Sequence, residues 1–134
     1  MVCRKPVLNK ILPGEIHDVL DASCKRRPFI IVSQEQFNRG RYCLAVSLTS
    51  KKLSERQVLR NCVFFQQGSF GLRKSCVAQA EGLSVIRRSD MAQPASYVGM
   101  LSQPRMADVI DAIGYVMGSD CKLMTEPLSG HGAG

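Results

Sequence analysis

The sequence predicts a mainly β domain of about six or seven short strands with added helix, the clearest helix lying near the C-terminal end. Three observations predict it. Short apolar runs rich in Val, Ile, Phe and Tyr recur between residues 15 and 101, each bounded by turn formers or charged residues. Only Pro104 to Met117 carries apolar side chains at helical spacing over several turns. A length of 134 residues with 45% hydrophobic content bounds one domain with a real core.

Residues 1–13 read as a basic lead-in ending in Leu12-Pro13-Gly14, a turn signal, so the domain proper is expected over 14–118. Glu15 to Leu20 forms a first strand, and Asp21 to Lys25 is a small polar connection to a second, Phe29 to Val32. The two are expected to pair as a hairpin. Pro28 fixes its own φ and pushes Arg27 toward extended geometry, which makes Arg27 a positioned cation at a strand entrance, a placement that suits phosphate. His17, inside the first strand, reads as a hydrogen-bonded packing residue.

Residues 34–38 look like a helical turn with Ser33 as N-cap, closed by Asn38 and the basic loop Arg39-Gly40-Arg41. A third strand, Tyr42 to Thr49, alternates imperfectly, as a strand covered on both faces does, and runs into Ser50-Lys51-Lys52. Residues 53–60 fit either a loop or a helical turn. Cys62 to Phe65 is the next strand, followed by a glycine-rich turn at 66–71 that lacks the phosphate-loop pattern. Ser75 to Gln79 and Leu83 to Ile86 extend the sheet, Arg87 to Asp90 closes it with a polar turn, and Tyr97 to Leu101 is a further short strand. The helix is capped by Ser102, buries Met106, Val109, Ile110, Ile113, Val116 and Met117, and stops at Gly118. Residues 119–134 are expected to be a flexible tail in which His131 is inert.

Cys3, Cys24, Cys43, Cys62, Cys76 and Cys121 form no Cys-x-x-Cys pair, and with only His17 and His131 beside them no zinc set can be assembled. No apolar run approaches the roughly 18–20 residues that cross a bilayer, and no signal region follows the N-terminus, so the chain is expected to be cytoplasmic and free of the membrane. The net charge of +7 is uneven: residues 1–60 hold 12 Lys or Arg against 5 Asp or Glu, residues 61–134 hold 6 against 6. A basic half of this kind suits a polyanion such as nucleic acid, or an acidic protein partner.

The order of motifs resembles a family. Gly14-Glu15-Ile16 opens the first strand, Arg27-Pro28 precedes the second, and Phe37-Asn38 follows the helical turn. Next come Thr49-Ser50 at a strand end, Gly71-Leu72-Arg73-Lys74-Ser75 before a later strand, and Val98-Gly99-Met100-Leu101 before the terminal helix. This arrangement, spanning residues 14–118, is similar to the MazF/PemK toxins of bacterial toxin–antitoxin systems. The resemblance implies a small SH3-like barrel, a homodimer, and sequence-selective cleavage of single-stranded messenger RNA without metal or other cofactor, checked by a cognate antitoxin. By position it implies catalytic roles for Arg27 and Thr49, and it sets Gln79 and Glu81 where some members carry an arginine and an aspartate. Glu81 is then expected to act as general base or to orient Arg27, with Lys25, Arg26, Ser50, Lys51, Lys52 and Gln79 gripping RNA. The connection between the first two strands, about Asp21 to Arg26, is shorter than the family's usual loop. That loop and Gln79 motivate an alternative on the same fold: a non-enzymatic inhibitor resembling the CcdB toxins that poison gyrase, or a degenerate RNA-binding module.

Overall fold

The computed structural model describes residues 10–20, 23–91 and 96–118. The expected tail at 119–134 and residues 1–9 of the lead-in lie outside the described residues, as do residues 21 and 22 of the first connection. Within the described residues no helix is long and apolar enough to cross a membrane.

The chain runs β1 (Glu15–Leu20), β2 (Arg26–Ile31), α1 (Glu35–Asn38), β3 (Tyr42–Thr49), α2 (Leu53–Arg56), β4 (Cys62–Phe65), β5 (Cys76–Arg87), β6 (Tyr97–Met100) and α3 (Gln103–Met117), with 3-10 turns at Ser69–Gly71 and Arg88–Met91. Six strands form one curled antiparallel sheet in the order β4-β5-β3-β2-β1-β6, with α3 closing its open side. The mainly β half-barrel and its C-terminal helix are those the sequence predicts.

Both faces of the central strands are covered, which explains why Phe29 to Val32 is apolar without alternation. Ile30, Val46, Leu48 and Ala78 join Val109 and Ala112 of α3 in the larger core, while Phe29, Ile31, Cys43 and Ala45 face a second cluster with Ile11, Ile86 and Met91. Curling is concentrated in β5. Val46 opposes Leu83 and Leu48 opposes Ala78, so four residues, Gln79 to Gly82, bulge against the single Ser47. A bulge of this size bends a strand and lets one long β5 pair with β3 along both halves but with β4 only along the first. It merges the two separate strand segments expected at 75–79 and 83–86.

Two local expectations are corrected and one open alternative is resolved. β2 begins at Arg26, because its ladder with β1 extends to Leu20↔Arg26. Residues 53–56 are helical, entered through Lys52 at φ 54. Ser33 is not the N-cap of α1: Gln34 holds that position with no side-chain cap bond. The Ser33 hydroxyl is engaged elsewhere, donating to Asn38 Oδ1 and accepting from Leu44 N at 2.9 Å. Asn38 is buried and must satisfy its amide, which it does by donating at 2.8 Å to the carbonyls of Ile11 and Ser33. The C-terminal helix is capped as expected, with Ser102 Oγ accepting from Arg105 N and Gly118 at φ 83 ending it. Its expected apolar stripe is only partly covered: Val109 and Ala112 are buried, whereas Ile110, Val116 and Met117 are exposed because they lie on the side turned from the sheet.

Backbone meets backbone where the Ser69–Gly71 turn crosses β6. Gly71 has φ +84, and a Cβ there would strike the Val98 carbonyl; one on Gly99 would strike the Phe70 carbonyl. Gly71→Ala is therefore expected to cost about 2–4 kcal/mol from positive-φ strain and overpacking, measured as a lowered denaturation midpoint.

Candidate functional site

Thr49 is the last residue of β3, opposite Val77 of β5, and is buried at 6% exposure. Its Oγ1 accepts from Lys51 N at 3.2 Å, which fixes the hydroxyl at the start of the turn. Arg27 pairs with Val19 across the β1–β2 ladder and is half-buried. The β2–β3 ladder runs from Ile31↔Ala45 to Phe29↔Ser47 and then stops. Two residues further along the same register stand Arg27 and Thr49. The strands part at that point, just where Pro28 could not donate to the ladder, and a cleft opens between them.

The cleft has a volume of about 440 Å3. Lys25, Arg26, Arg27 and Pro28 line it from the hairpin side, Leu48 to Lys51 from the end of β3, and Gly71 to Lys74 with Cys76 from the turn before β5. Among the described residues its cations outnumber its one carboxylate, Asp18. Arg26 Nη1 donates to the Asp18 carbonyl at 3.3 Å, which ties that side chain to the neighbouring strand. Closely spaced cations at a concave surface concentrate positive potential, as a phosphodiester chain requires.

Burial pushes the Cys76 thiol up to about 11, so this residue lines the cleft as a neutral wall and not as a nucleophile. Cys62 is raised too, first by burial and then by the Glu81 carboxylate, with Arg56 opposing. Because Cys76 holds its proton in the folded chain while an unfolded thiol releases it near 9.0, stability is expected to fall as pH rises through the window from about 9 to 11. In alkylation at pH 8, exposed Cys24 is expected to react well before Cys76, read by mass mapping. Equal rates would contradict the burial argument.

A second groove, about 610 Å3, lies between β4 and α3. Its charges are internally compensated: Arg105 bonds Asp108 at 2.7 Å and lies 4.7 Å over Phe65, and Arg60 meets Asp111 at 3.6 Å and Tyr115 at 5.0 Å. Among the described residues that leaves no excess charge to attract a polyanion, and these contacts serve to hold α3 against the sheet.

The sequence profile of the PemK-like, MazF-like toxins of type II toxin–antitoxin systems matches residues 17–117. The chain belongs to this family. No curated protein sequence matches it. Solved structures share its fold at low identity. An endoribonuclease in complex with its cognate antitoxin, from Mycobacterial species, is 21% identical with a TM-score of 0.66, over 81% of this chain and 95% of that one. The Mycobacterium tuberculosis toxin MazF-mt6 is 19% identical with a TM-score of 0.64, over 78% and 96%. MazE-MazF from Deinococcus radiodurans is 17% identical with a TM-score of 0.62, over 81% and 96%.

In this MazF-like chain the fold brings Lys25, Arg26, Arg27, Thr49, Ser50 and Lys51 to one cleft. Three other expected site residues stand apart from its lining. Lys52 turns away into α2. Gln79 and Glu81 lie on the β5 bulge, where the Glu81 carboxylate accepts from Asn61 Nδ2 at 2.6 Å and Gln79 Nε2 at 3.3 Å. These bonds brace the entry of β4 against the bulge. Arg73, Lys74 and Asp18 are the charged residues of the described cleft lining that sequence reasoning did not assign. The Arg73-Lys74 pair was visible as a motif, but nothing local says which strand end it faces.

His17 is fully buried, with Nε2 2.8 Å from Glu15 Oε1 and Nδ1 2.9 Å from Ser96 Oγ, and its ring meets Tyr97 edge-on at 5.7 Å. It packs, as expected, and it also ties β1 to the segment entering β6.

Proposed function

We propose that this toxin is a metal-independent endoribonuclease that cuts single-stranded RNA at selected sequences, acts as a homodimer and is held in check by a cognate antitoxin. The observation that carries the reading is that Arg27 and the fixed Thr49 hydroxyl, both just past the end of the β2–β3 ladder, line one cleft together with further cations. The solved neighbours described as an endoribonuclease with its cognate antitoxin and as MazE-MazF agree with it.

In the proposed reaction the 2′-oxygen attacks the adjacent phosphorus, the 2′-OH loses its proton, the P–O5′ bond breaks and the leaving oxygen gains a proton. The products are a cyclic phosphate and a free 5′-hydroxyl. Negative charge builds on the phosphoryl oxygens in the transition state, and preorganised guanidinium and hydroxyl donors stabilise it there more than in the ground state. Lys25, Arg26 and Lys51 hold the strand in register. An acidic, partly disordered antitoxin segment would compete for the same cations, giving a complex that weakens with salt.

Incubating the purified protein with a long single-stranded RNA in excess chelator, then mapping 5′ ends, tests the reading. Discrete cuts bearing 5′-hydroxyls are expected. An intact RNA beside retained growth inhibition would reassign the protein to the non-enzymatic inhibitors of this fold.

A further inference from the structure

Arg73 and Lys74 sit on the turn that leads into β5, both exposed and both lining the cleft that the β1–β2 hairpin also lines. The turn is rigid. Gly68 N and Leu72 N bond the carbonyls of Leu72 and Ser69, each at 2.9 Å, and Gln67 N bonds Ser75 Oγ at 2.9 Å. Leu72, at 4% exposure, anchors it in the core, and Gly71 lies directly against the Val98 backbone. Some other surface arginines are neutralised, Arg39 by Glu35 at 3.2 Å and Arg105 by Asp108 at 2.7 Å. Among the described residues Arg73 and Lys74 make no side-chain hydrogen bond or ion pair. Two uncompensated cations fixed at a cleft wall keep a standing repulsion that a bound anion relieves.

We propose that Arg73 and Lys74 form a second phosphate subsite, which binds a phosphodiester flanking the one held at Arg27 and Thr49. This inference rests on the endoribonuclease reading. The cleft then has two cationic walls, one on the hairpin and one on the rigid turn, and an RNA strand crossing it meets both. Arg73, with a forked guanidinium, engages two oxygens of that phosphate, and Lys74 adds a point charge. The subsite selects for chain length: a substrate truncated before the flanking phosphate loses contacts that position the scissile one.

The test uses an oligoribonucleotide made uncleavable by one 2′-deoxy nucleotide at the mapped cut, with each phosphate in turn replaced by a neutral methylphosphonate. Binding is followed by fluorescence anisotropy across a salt series. Wild-type protein is expected to lose affinity at two positions, the scissile phosphate and one flanking it. In Arg73→Gln/Lys74→Gln the flanking position is expected to stop mattering, affinity to fall on the order of tenfold or more, and the log–log salt slope to become shallower by about 1. A control with equal charge loss, Arg39→Gln/Arg87→Gln, should leave binding unchanged. Thermal melting checks that the double variant folds; if it does not, the single variants Arg73→Gln and Lys74→Gln should each carry part of the slope change.

Unaltered sensitivity at every phosphate in the double variant, or an equal loss in the control, overturns the subsite and leaves the nuclease standing. Wild-type protein that neither binds nor cuts RNA overturns both. Weakened binding of a poly-glutamate peptide with RNA binding untouched overturns the subsite in favour of an acidic protein partner.

Discussion

Arg27→Ala is expected to lower RNA cleavage on the order of 10²–10³-fold in kcat while leaving the melting temperature within a degree or two of the parent's. The guanidinium is half-buried at the mouth of a cleft and outside both core clusters, so its loss removes a transition-state donor without opening a cavity. Arg27→Lys should recover little of the rate. A lysine carries the charge but not the planar fork that meets two phosphoryl oxygens at once. Single-turnover cleavage of a mapped RNA site beside a thermal melt separates the two quantities, and an Arg27→Ala protein that cuts at the parent's rate would remove Arg27 from the chemistry.

His17→Leu is expected to behave in the opposite way, costing about 3–5 kcal/mol of stability. The leucine removes the imidazole that bridges Glu15 Oε1 and Ser96 Oγ in a site with no access to water. Glu15, at 1% exposure, keeps the bond from Leu12 N at 3.1 Å but loses its close partner two residues along β1, and Ser96, at the entry to β6, loses its bond to β1. Urea denaturation followed by circular dichroism reads the cost. A loss below about 1 kcal/mol would show that the network is replaceable by packing.

These two residues also show what was legible. Arg27 announced itself because the constraint is local: proline restricts the residue before it, and four apolar residues after it start a strand. His17 was legible as a packing residue but not as part of a network. Its partner Ser96 stands 79 positions away, and the buried carboxylate of Glu15 looks from the sequence like an ordinary polar residue at a strand entrance. Ser33 misled for a related reason. Its spacing fits an N-cap, yet the buried Asn38 amide claims its hydroxyl, and satisfying a buried amide outweighs a cap at an exposed turn.

The sequence by itself determined the placement of β1, β3, β4 and α3, the capping of that helix by Ser102 and Gly118, and the cation and hydroxyl at the ends of β2 and β3. Periodicity, caps and turn residues are encoded within a few positions of where they act. The tertiary structure decided which strand ends meet. It brought Arg27 and Thr49, each two positions past the end of the β2–β3 ladder, to one cleft with Arg73 and Lys74, and drew Glu81 into a brace on the β5 bulge. Those outcomes depend on how far a four-residue bulge bends β5 and where the sheet parts, and pairing between distant segments fixes both.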